Sequence, residues 1–97
     1  MTYPVILTYG QKIHEEIDEE RHRQERLKAE GRFTHTCADS EMSDAEALAV
    51  LMEEVGEAAR ALLEQGRLPT VRSHDAHGKE LRKELIQVAA VVVAWIE

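Results

Sequence analysis

The sequence is poor in the features that staple or anchor a small domain. It has one cysteine, Cys37, so no intrachain disulfide can form and a reducing compartment is expected. Aromatic residues are scarce: Tyr3, Tyr9, Phe33 and Trp95. The longest apolar run, Val88 to Ile96, is nine residues, against about 20 for a membrane span. Met1 to Gly10 lacks the basic segment and long apolar stretch of a signal peptide. Basic charge is also in deficit, with a formal net charge of −7. That balance argues against nucleic acid as a partner, because nonspecific binding needs cations to neutralise phosphates. A small phosphorylated molecule stays open, since a bound divalent cation reverses the local charge. The expectation is a soluble, cytoplasmic protein.

The 97 residues suit one domain with a thin core. Ala, Val, Leu and Glu dominate, which is helix-bundle composition. The first ten residues read as an apolar-leaning, extended arm closed by Gly10. Residues 11–30 read as a helix of Glu, Arg, Gln and Lys, with Glu19–Arg23 an ionic pair four apart and Gly31 as its stop. Its sparse apolar positions, Ile13, Ile17 and Leu27, imply an exposed helix or one facing a polar site. Residues 43–65 read as a second helix, opened by the capping box Ser43-Asp44-Ala45-Glu46 and ended by Gly66 and Pro69. Leu48, Leu51, Met52, Val55, Ala59, Leu62 and Leu63 make its main apolar stripe. A third helix, opened by Asp75 or Gly78, spans 78–97, with Leu81, Leu85, Val88, Ala89, Val92 and Ile96 apolar. From Val88 onward it is apolar all round and needs burial on most sides. Two other helices cannot easily cover it, so association with further copies is expected.

Two acidic clusters stand out, Glu53-Glu54-Val55-Gly56-Glu57 and Glu80-x-x-x-Glu84-x-x-Gln87. At about 100° per residue, Glu54 lies off the main stripe, on a flank of Ala47, Val50, Ala58 and Ala61. Small apolar neighbours suit close helix packing, and Glu57 is one turn on. On the third helix Glu80, Glu84 and Gln87 stack on one side, and Val91 continues the line. Buried carboxylates need a counter-charge or a proton. A hard cation such as Mg²⁺ takes carboxylate oxygens and keeps waters for a phosphate. The plain alternative is a solvated acidic face.

With LAVLMEEVGEAA (Leu48–Ala59) and LRKELIQVAA (Leu81–Ala90), the chain resembles the MazG-like all-α nucleoside triphosphate pyrophosphohydrolases. That family carries Glu-x-x-Glu on one helix and Glu-x-x-Asp on the next, in a four-helix arrangement. ERHRQ, from Glu20 to Gln24, is similar to the first-helix segment of small, often phage-type members. The resemblance runs from about Ile17 to Glu97. It implies an all-α bundle completed by oligomerisation, as a homodimer or homotetramer. It implies Mg²⁺, or Mn²⁺ in its place, on Glu54, Glu57 and Glu84, and hydrolysis of a nucleoside or deoxynucleoside triphosphate to monophosphate and pyrophosphate. Glu53 or Glu54 would orient the attacking water. Gln87 stands where the family has Asp, an amide oxygen without charge, and Glu80 is a substitute ligand. Arg21, Arg23 and Gln24 would line the nucleotide pocket.

Lys79, Arg82 and Lys83, early in the third helix, can meet phosphates or serve as ordinary surface charge. His35, His74 and His77 match no compact zinc spacing, and Cys37 alone completes none. Trp95 reads as a packing residue, whereas Phe33, in a loop, is open to base contact. The alternatives to an enzyme are a catalytically degenerate nucleotide- or metal-binding protein and a helical interaction module.

Overall fold

A computed structural model describes residues 8–64 and 76–97, the side chains of 76–78 excepted. The regular elements among them are all helical: α1 (Tyr9–Ala29), α2 (Asp44–Glu64) and α3 (Ala76–Ile96).

Helix α1 begins two residues before the expected Gln11, because Thr8 and Gln11 form a capping box. The Gln11 amide donates to Thr8 Oγ1 at 3.1 Å, and the Thr8 amide donates to Gln11 Oε1 at 2.7 Å. Gly10, expected to close an arm, therefore sits in the first turn; residues 1–7 of that arm lie outside the described residues. At the other end Gly31 takes a φ of +77°. Its N–H donates to the Lys28 carbonyl at 3.0 Å, and the Arg32 N–H reaches the Leu27 carbonyl at 2.8 Å. This is a Schellman stop, which a left-handed glycine makes at little steric cost.

Helix α2 opens as its capping box predicts: the Glu46 amide donates to Ser43 Oγ at 3.1 Å, and Ser43 Oγ donates to Glu46 Oε1 at 3.0 Å. The stops at Gly66 and Pro69, and Asp75 as an opener of α3, fall outside the described residues. Gly78 lies inside the first turn of α3, which begins at Ala76.

Helix α3 packs against both α1 and α2, which do not pack on each other. The Trp95 indole donates to Asp44 Oδ1 at 2.9 Å, pinning the end of α3 to the start of α2 and making the two antiparallel. Arg82 pairs with Glu16 at 2.5 Å, and Arg21 pairs with Glu97 at 2.6 Å.

The core is built from small side chains: Ala47, Ala58, Ala90, Val91, Ala94 and Cys37 are buried. Alanine lets the α2 and α3 backbones approach, so α2 turns its small flank inward. Its larger stripe is left outward, with Leu48 49%, Met52 58% and Leu63 80% exposed. On α3, Leu85 and Ile96 are likewise exposed and the Ala90–Val91–Ala94 side is buried. The stripes that carry the strongest sequence periodicity are therefore not the ones that close this three-helix unit.

Helix α1 buries polar groups instead. Arg21 and Gln24 are its two buried residues. Arg21 is tolerated there because its guanidinium meets Glu97 at 2.6 Å, Glu25 at 2.9 Å and Gln24 Oε1 at 2.9 Å, and the Glu97 contact leads in raising its pKa. In place of the expected Glu19–Arg23 pair, Arg23 turns back one residue less and pairs with Glu20 at 2.9 Å.

Candidate functional site

The antiparallel register of α2 and α3 sets Glu84 across from Glu54 and Glu57. One carboxylate oxygen from each of the three lies within 4.8 Å of the others. Glu54 projects from the small flank between Ala47 and Ala58; it and Glu84 are half-buried, and Glu57 is exposed. Glu54 Oε2 and Glu84 Oε2 are both buried and neither has a hydrogen-bond partner. Burial pushes the Glu54 carboxyl above its ordinary pKa, and the carboxylates of Glu57, Glu84, Glu20 and Glu53 add to the rise. Glu84 is raised by burial first and then by Glu57 beside it. Both shifts state one fact: these groups resist ionising together unless a proton or a cation stands between them. Oxygen-only ligands of this kind suit a hard divalent cation, and the two orphaned oxygens are the donors such an ion would satisfy. Among the described residues this is the one grouping of three or more potential ligands.

The other expected site residues distribute around this cluster. Glu80 lines a cleft of about 310 Å³ between α2 and α3, together with Glu57, Glu84 and Arg60. Gln87 does not line it; it faces a cleft of about 450 Å³ between α1 and α3. There it joins Arg23, Lys79, Arg82 and Lys83, so four of the expected substrate-binding cations share one surface. Two of them are already engaged, Arg82 by Glu16 and Arg23 by Glu20. Arg26 also lines this cleft.

Glu53 and Gln24 belong to a third space, of about 260 Å³, closed by the connection between α1 and α2. Glu54 forms part of its wall, and so do Phe33, His35 and Cys37. The connection is held over α1 by the Lys28–Asp39 ion pair and by Thr36 Oγ1 donating to Glu25 Oε1 at 2.9 Å. The Cys37 thiol is buried, and burial raises its pKa. Trp95 packs on the core as expected. His74 and the side chain of His77 lie outside the described residues.

No protein-family model, curated protein or solved structure matches the chain.

Two participants escaped the sequence reading. Glu20 is near enough to raise Glu54, although nothing in the α1 pattern separates it from its exposed acidic neighbours. Arg26 in the cationic cleft had the same spacing signal as Arg23, three residues earlier on the same helix face.

Proposed function

We propose that the protein is a Mg²⁺-dependent pyrophosphohydrolase of nucleoside or deoxynucleoside triphosphates, akin to the MazG-like enzymes. The observation that carries this reading is the convergence of Glu54, Glu57 and Glu84 from two helices, with two buried oxygens left without partners. Mg²⁺ held by these three carboxylates would neutralise phosphate oxygens and stabilise charge that develops in the transition state. Glu53, exposed beside Glu54, accepts a proton from the attacking water. Lys79, Lys83, Arg82 and Arg23 receive the phosphate chain; with Arg26 they outnumber the glutamates of their cleft, Glu16, Glu19 and Glu20, in a chain that is acidic overall. Water adds across the phosphoanhydride between the first and second phosphates, releasing monophosphate and pyrophosphate.

The same reading includes self-association. Leu48, Met52, Val55 and Leu62 follow one another at helical spacing on the outer face of α2, all at least 40% exposed. A face this apolar is a self-complementary surface for a symmetric dimer or a pair of dimers.

Gln87 favours a second reading, a nucleotide- or metal-binding protein without turnover. It supplies no charge, and it faces the α1–α3 cleft. Pyrophosphate release from the common triphosphates, with and without Mg²⁺, separates the two. The enzyme releases pyrophosphate only with the metal; a binder releases none under either condition.

A further inference from the structure

The α1–α3 cleft carries anions of its own. Of its five cations, Arg82 meets Glu16 at 2.5 Å and Arg23 meets Glu20 at 2.9 Å. Among the described residues, Lys79, Lys83 and Arg26 pair with none of the cleft's glutamates. The cleft is therefore divided into three cations open to a ligand and two already neutralised.

The two pairs are set into the cleft. One runs between helices, from Arg82 on α3 to Glu16 on α1, and the Glu16 oxygen in it, Oε2, is shut off from water. In the other, within α1, the Glu20 side chain is only 13% exposed. Arg82 also holds the Glu16 carboxyl below its ordinary pKa, so it keeps its charge at neutral pH. Each guanidinium retains donors beyond those it gives its glutamate, so the carboxylates do not fill the arginines. They oppose a phosphate by charge. A phosphate bonded to either arginine would lie beside a carboxylate, and like charges at that range repel even in water.

We propose that Glu16 and Glu20 are internal competitors of the phosphate chain: Lys79, Lys83 and Arg26 make the first contact, and a chain long enough to reach Arg82 and Arg23 displaces the two carboxylates from them. The inference rests on the triphosphate reading above and adds what limits affinity at that site. A cleft guarded in this way holds a phosphate chain more weakly than its five cations would alone, which favours release of the pyrophosphate product. The opposite role, glutamates that hold the arginines ready for phosphate, predicts an effect of opposite sign.

Calorimetric titration of tripolyphosphate without metal tests this apart from turnover, at about 0.15 M salt so that distant charges are screened. Glu16→Gln and Glu20→Gln should each tighten binding about threefold, the scale of an exposed ion pair. Glu19→Gln, in the same cleft but paired with neither arginine, controls for net charge and should leave the affinity unchanged. Orthophosphate, served by the three unpaired cations, should bind wild type and variants alike. If Glu16→Gln loosens the helices, as read by circular dichroism, Glu20→Gln decides, since its pair lies within α1. The inference is overturned if a folded Glu16→Gln or Glu20→Gln protein binds tripolyphosphate no more tightly than wild type. It is equally overturned if Glu19→Gln tightens binding as much, or if orthophosphate gains as much as tripolyphosphate. Tightening as described without triphosphate hydrolysis would uphold the competitors and defeat the hydrolase. Hydrolysis with affinities unchanged in the variants would do the reverse.

Discussion

The Trp95 indole and the Asp44 carboxylate, joined at 2.9 Å, fix the register in which Glu84 stands across from Glu54. Ten residues along α2 from Asp44 and eleven back along α3 from Trp95, the chain reaches two acids whose carboxylates converge with that of Glu57.

That bond gives the first prediction. Trp95→Phe loses the donor together with part of the ring that packs on the core. It should lower stability by about 1–2 kcal/mol, an exposed hydrogen bond plus the lost packing, as read from the urea midpoint. A larger loss would mean that the indole does more than set the register.

The acidic pair should show itself in the pH dependence of the metal-free protein. Glu54 and Glu84 have folded pKa values above the ordinary 4.5. A carboxyl of this kind holds its proton more tightly in the folded state, so its effect stabilises the fold as pH falls through the raised value and costs stability as pH rises. Glu25 and Asp39 are shifted down, by Arg21 and Lys28 respectively. Their stabilisation is lost only as pH falls below the ordinary carboxylate range. Melting temperature should therefore rise as pH falls through the raised values of Glu54 and Glu84 towards the ordinary carboxylate range, and fall again below that range. The double variant Glu54→Gln, Glu84→Gln should flatten the upper limb and leave the lower one.

Those same substitutions made singly should abolish pyrophosphate release while far-ultraviolet circular dichroism stays unchanged. Full activity in either variant removes that residue from the site.

How much of this was legible in the sequence depends on the length scale of each signal. The Ser43 capping box and the Gly31 stop are local, and both appear as read. The alanine flank around Glu54 was also local, and it marks the side of α2 that faces α3. The Leu48–Met52–Val55 stripe is equally local, but periodicity reports an apolar face without saying which neighbour covers it. The burial of Arg21 could not be read at all: its main partner, Glu97, lies 76 residues away. Gln87 was placed with Glu84 by spacing, yet three residues are enough rotation on a helix to bring it onto the neighbouring cleft.

The outward face of α2 yields a prediction about assembly. Met52→Glu should leave the helices intact and shift sedimentation towards the monomer. If wild type and variant both sediment as monomers, the face serves another purpose.

Gly31→Ala isolates a purely backbone effect. With a φ of +77° and no neighbour within 4 Å, the added methyl meets no clash but strains the turn. A loss of about 1 kcal/mol in chemical denaturation is expected, with nucleotide hydrolysis unaffected.

Calorimetric titration of Mg²⁺ into the wild-type protein and into the Glu54→Gln, Glu84→Gln variant decides whether the three carboxylates hold the cation. Saturable binding is expected in the wild type and none in the variant. Equal heats in the two proteins, or no binding in either, would contradict it.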